Sequence, residues 1–136
     1  MVSMDTTFPL GKPANPAWFT GEVHMASMQE PAELQAANVT FAAGGRTNWH
    51  THQVGQLIVV VAGEGFYQEE GQEPRLIKAG DTAWAGPNVN HWHGATRDAG
   101  MVHVVANLKD ADGDFADWGA RVTDDEYEAA HAAVGK

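Results

Sequence analysis

"GGRTNWHTHQVGQLIVVVAG", residues 44–63, decides how the rest of the chain is read. Its second half, Leu57–Val61, is apolar at every position, the mark of a strand buried on both faces. In its first half His50 and His52 stand two residues apart, so on a strand they project from one face. Gln56 keeps their parity. One face of the apolar run is expected to line an interior. The other needs a cover: the N-terminal arm, a second sheet of the same chain, or another subunit. A homo-oligomer, dimer or tetramer, is therefore expected.

Outward from this stretch, the chain breaks into short β-prone runs separated by Gly or Pro. "TGEVHMASM" (20–28) and "AANVTFA" (36–42) precede it. "QLIVVVAGEGFYQEE" (56–70) reads as two strands broken at "GEG", a hairpin signal. "PRLIKAGDTAWAGP" (74–87) holds two strands about a Gly80-Asp81 turn, and "HWHGATRD" with "AGMVHVVANL" (91–108) forms another pair. This spacing predicts a single all-β domain, barrel or sandwich, over residues 1–136. Its core covers about 36–108, after an arm (1–35) that begins as a Pro- and Gly-rich extended segment. A helix is predicted over about 123–135, with Thr123 and Glu126 as a capping box, acids in the first turn and Gly135 as its stop.

Cysteine is absent, which excludes disulfides and thiolate metal sites and fits a reducing compartment; a cytoplasmic location is the default expectation. A net charge of −10 argues against nucleic acid or an anionic membrane as partner and leaves a small molecule. Function is then carried by the histidines. His50 and His52 share a face, as do His91 and His93, and Met101, His103, Val105 and Asn107 share one on the last strand. If these faces turn inward, five of the seven histidines converge. Imidazoles with a carboxamide and no thiol suit Mn, Fe(II), Ni(II), Co(II) or Zn(II). His24 and His131 fall outside the pattern and read as surface residues.

The same residues resemble the first cupin motif: Gly44, five residues, His50-x-His52, three residues, Gln56 at the acid position, six residues, Gly63. "GDTAWAGPNVNHWHG" is similar to the second motif, with Gly80, Pro87 and His91, although its internal gaps differ by one and Val89 replaces a glycine. With "WFTG" (18–21) and "TDDEY" (123–127), the chain resembles the small bacterial manganese cupins that include the hydroxynitrile lyases. The resemblance implies a jelly-roll barrel with one divalent ion per chain, Mn(II), held by His50, His52, Gln56 and His91. It also implies cleavage or formation of cyanohydrins, with His103 or His93 as the proton acceptor.

Cupins usually carry glutamate where this chain has Gln56; the neutral amide leaves the ion's charge uncompensated and favours Lewis-acid chemistry. Ala37, Val39, Ile58 and Val60 are candidate pocket walls, with plain barrel filling the favoured alternative; Asn107 is expected to hydrogen-bond substrate, and Trp84 or Trp92 either stands at the mouth or serves in packing. The base is expected to titrate near the working pH. The alternatives are a metal-dependent dioxygenase, which Gln56 disfavours, and a non-catalytic small-molecule-binding cupin. Decarboxylase or isomerase action on an acid would need Arg46 or Arg75 inside the barrel.

Overall fold

The computed structural model describes residues 7–136; the first residues of the predicted arm, 1–6, lie outside them. Twelve strands and one helix follow in order: β1 (Lys12–Pro13), β2 (Phe19–Thr20), β3 (Val23–Ser27), β4 (Leu34–Phe41), β5 (Arg46–Thr47), β6 (His50–Thr51), β7 (Gln56–Glu69), β8 (Arg75–Lys78), β9 (Thr82–Ala85), β10 (His91–Ala95), β11 (Met101–Leu108), β12 (Asp117–Trp118) and α1 (Asp124–Ala133). All pairings are antiparallel. One face of the barrel is β1-β3-β4-β11-β7-β9; the other is β8-β7-β10-β5-β2, with β6 also paired to β10 and β12 paired to β6.

β7 belongs to both faces, which corrects the hairpin expected at "GEG". Its fourteen residues run on without a turn. The sequence signal was genuine but had another cause. β7 passes so close to β10 that a Cβ on Gly65 would collide with the Gly94 carbonyl oxygen, so glycine is required by approach rather than by reversal. Against β11 the register slips: His103 faces Val60 while Val102 faces Ala62, leaving Val61 unpaired in a β-bulge. The bulge flips the phase of the strand. Before it Gln56, Ile58 and Val60 point inward; after it Tyr67 does, while Phe66 points out beneath the helix. The predicted pairing of β10 with β11 is also corrected, for each pairs instead with a different half of β7.

Two apolar clusters result. The interior holds Ala37, Val39, Phe41, Ile58, Val60, Ala83, Ala85, Met101 and Val105 among others. The second, Phe66, Trp92, Val122, Tyr127 and Ala130, seats α1 on the outside of the barrel. The predicted capping box is present: Thr123 accepts from the Glu126 amide, and the Glu126 carboxylate accepts from the Thr123 amide. Arg46 is no cavity residue. Its buried guanidinium donates to Val122 O (3.1 Å) and Asp124 Oδ1 (2.9 Å) and lies 4.2 Å over the Tyr127 ring, fastening the helix. Arg75 is exposed. His131, read as a surface residue, is buried at 1% exposure, its Nε2 accepting from the Arg97 amide and its Nδ1 facing Tyr127 O.

Among the described residues, the apolar run of β7 is covered on one side only. Leu57 and Val61 are exposed on its outer face, alongside Trp84 and Leu108. The arm lies elsewhere, across β4, where Asn38 Nδ2 donates to Pro9 O. No described helix is long and apolar enough to cross a membrane.

Candidate metal centre and cavity

The strand faces converge as their parity requires. His50 from β6 and His91 and His93 from β10 bring ring nitrogens within 4.8 Å of one another, a group able to hold a metal ion. His52, just beyond β6, has its ring centroid 4.9 Å from that of His50 and 5.3 Å from that of His91. Gln56 begins β7 and sets Oε1 3.0 Å from His91 Nε2. All five side chains are buried.

Hydrogen bonding fixes which nitrogen each ring offers. Nδ1 of His50, His52 and His91 lies 2.8, 2.7 and 3.0 Å from the carbonyl oxygens of Asn48, Phe115 and Val89. A carbonyl only accepts, so each Nδ1 carries the proton and each Nε2 is a bare lone pair. Backbone carbonyls in that position are what orients histidine ligands around metals. His52 Nε2 is buried without a partner. At His91 a neutral imidazole has one N–H, already given to Val89, so its Nε2 lone pair faces a lone pair of Gln56. A cation between them resolves that conflict. The donor set therefore fits a divalent metal of the kind that accepts imidazole and amide oxygen.

Burial drives every one of these imidazoles toward the neutral form. His91 falls to about 4 through desolvation, and His52 is lowered for the same reason. His50 and His93 lie well below the usual histidine range, desolvated and surrounded by other histidines. His103 falls to about 4, again by desolvation. The expectation of a base titrating near the working pH is thus corrected. The cluster is neutral at neutral pH, ready to ligate or to accept a proton briefly.

A cavity of about 280 Å³ opens over the cluster. His50, His52, Gln56 and His93 reach it; His103 does not. His103 sits behind, its Nε2 2.9 Å from His93 Nδ1, with Phe41 edge-on at 5.0 Å between ring centroids. Of the expected pocket walls, Val39 and Asn107 line the cavity, whereas Ala37, Ile58 and Val60 are packed in the apolar interior. Neither tryptophan expected at the mouth is there: Trp92 is fully buried under α1 and Trp84 is half-exposed on the outer face.

The walls that sequence reasoning missed are aromatic. Trp18 and Trp118 stack at 5.1 Å with a 5° interplanar angle, Phe19 leans on Trp118, and Trp118 lies 4.6 Å from the His50 ring. Residues 113–116 complete the rim, and Gln35 and Thr47 add polar groups. "WFTG" was visible as a motif, but nothing periodic in 110–118 announces a wall. That segment is shaped by Asp110, whose Oδ1 accepts from the amides of Asp112 and Asp114.

A cupin domain profile matches residues 37–108. The chain belongs to the cupin family. This cupin is 42% identical over 113 residues to an (R)-mandelonitrile lyase of Granulicella tundricola, a match covering 81% of this chain and 86% of that protein. A cupin-like protein of Thermotoga maritima shares its structure with a TM-score of 0.87 at 37% identity, over 93% of this cupin and 97% of the other. A DMSP lyase of Ruegeria pomeroyi, with a TM-score of 0.56 at 24% identity over 64% of this chain and 48% of that one, shares the fold alone.

Proposed function

We propose that this cupin is a metal-dependent hydroxynitrile lyase, splitting a cyanohydrin with an aromatic side chain into aldehyde and hydrogen cyanide and catalysing the reverse. One observation carries the reading: bare imidazole nitrogens open onto a cavity walled by Trp18, Phe19, Phe115 and Trp118, with no Lys or Arg in its lining. Such a cavity suits a neutral aryl substrate. An acid, as a decarboxylase would take, finds no cationic side chain there. Kinship with the mandelonitrile lyase supports the same conclusion.

His50, His52, Gln56 and His91 hold the ion in this reading, because the three histidines have Nδ1 pinned to backbone carbonyls and Nε2 free. His93 differs, since its Nδ1 is engaged by His103. A bound divalent ion, Mn(II) as the sequence resemblance implies, would supply positive charge that favours an alkoxide over a hydroxyl. His93 Nε2 is buried, unpartnered and on a side chain that lines the cavity, so it takes the cyanohydrin hydroxyl proton. As the C–C bond breaks its electron pair leaves with cyanide, and the proton on His93 is passed to that cyanide. Burial keeps His93 a poor holder of charge and speeds the return. His103 orients His93 through the Nε2–Nδ1 contact. The aromatic walls place the aryl group, and Val39 and Asn107 complete the pocket.

The test is cyanide release from racemic mandelonitrile by Mn(II)-loaded protein against an EDTA-treated control. Metal-dependent release is expected, falling about a hundredfold or more in His93→Ala with metal content unchanged. His103→Ala is expected to lose less. A fully metallated protein that releases no cyanide would overturn the reading.

A further inference from the structure

Three carboxamides stand in one row on the inner surface of the barrel. Asn107 of β11 is directly opposite Gln35 of β4 on one side and Gln56 of β7 on the other. All three are buried, and all three line the cavity. Gln56 has a reason to be there, beside His91. The other two have none from packing: the residues next to them on the inward row are apolar, Ala37 and Val39 on β4 and Val105 on β11. Within the pair, Asn107 Nδ2 donates to Gln35 Oε1 at 2.7 Å. That bond uses one of the amide's two N–H groups and leaves Asn107 Oδ1 buried with no partner. An unpaired buried acceptor is costly to keep, and a bound donor is what removes the cost.

We propose that Gln35 and Asn107 form a donor-selecting subsite, in which Gln35 holds the Asn107 amide so that its carbonyl oxygen accepts a hydrogen bond from a hydroxyl on the ligand's carbon skeleton. The inference rests on the reading that the substrate occupies this cavity. Neighbouring strands lie about 4.8 Å apart, so the Asn107 amide is roughly one strand spacing from Gln56 and the histidines it touches. A ligand with one oxygen at the histidines and a hydroxyl on the adjacent ring carbon spans that interval. The class selected is therefore a neutral aryl compound with two neighbouring oxygen functions, the second of them a hydrogen-bond donor. An ether in the same place leaves Oδ1 facing another lone pair. Sites built to bond a hydroxyl discriminate strongly against partners that lack it.

The experiment is isothermal titration of the Mn(II)-loaded protein with 2-hydroxybenzyl alcohol and with 2-methoxybenzyl alcohol. The hydroxyl compound is expected to bind about tenfold more tightly. In Asn107→Leu and in Gln35→Leu the ratio is expected to fall toward one while the methoxy affinity holds, which a general loosening of the fold would not produce. Equal affinities in the unmodified protein, a preference for the methoxy compound, or no binding of either overturns the subsite, whichever variants fold. Cyanide release with equal affinities removes the subsite and leaves the lyase standing. A tenfold preference without cyanide release keeps the subsite and removes the lyase.

Discussion

Acid should unfold the metal-free protein well above the pH at which its carboxylates titrate. His91 and His103 are held at about 4 in the folded chain against 6.5 when free. The unfolded chain thus binds more protons between those values, and stability rises with pH and is lost as pH falls through that window. At about pH 5 each of the two histidines costs about 2 kcal/mol relative to neutral pH, and about 3 kcal/mol each once pH is below 4. His50, His52 and His93 are shifted in the same direction and add to the loss. Against a typical domain stability of about 5–15 kcal/mol, the first two alone remove about 4 at pH 5. The assay is urea unfolding of EDTA-treated protein, followed by fluorescence of the five tryptophans, between pH 7.5 and pH 5. In parallel, His103→Gln should flatten the pH dependence by about one proton, or about 1.4 kcal/mol per pH unit in mid-window. A stability that stays constant or rises on acidification would refute the picture of a buried, neutral imidazole cluster.

Other outcomes follow from single contacts. His52→Ala should abolish stoichiometric metal binding, measured by plasma emission on gel-filtered protein, since it removes a bare, buried Nε2. Gln56→Glu should retain metal but slow cyanide release, because a carboxylate offsets charge that the amide leaves intact; the check is kcat at fixed metal content. Gly65→Ala should destabilise the fold by about 3 kcal/mol or more through its clash with the Gly94 carbonyl, read as a lowered urea midpoint. We also propose that the outer face bearing Leu57, Val61, Trp84 and Leu108 meets a second copy of the chain. Light scattering of a Leu57→Asp, Trp84→Asp double variant should then give the monomer mass.

Parity explains why so much of the centre could be read from the chain. On strands whose inner face is fixed by apolar neighbours, counting by two brings His50, His52, His91, His93, His103, Gln56 and Asn107 inside, and the structure puts them there. Counting by two fails where the phase slips. The unpaired Val61 reverses β7, so Phe66 and Tyr67 could not be assigned to faces from the earlier half of the strand. It also cannot rank depth: His93 and His103 share the inward face, yet only His93 reaches the cavity. Ala37, Ile58 and Val60 point inward and stop in the packed interior for the same reason. Trp18, Phe115 and Trp118 come from short or irregular segments with no period to follow, and their meeting over His50 is a property of tertiary packing alone.

The carbonyls that hold the three histidines differ in origin. Those for His50 and His91 come from two residues earlier on the chain, Asn48 and Val89, so these rings are aimed by their own strands. The one for His52 belongs to Phe115, sixty-three residues away on the cavity rim. Two of the rings are therefore aimed by local backbone, while the third depends on the position of the rim. One segment thus shapes the aromatic wall and aims His52 together, so a substitution that displaced the Phe115 carbonyl would disturb the cavity and the metal site at once.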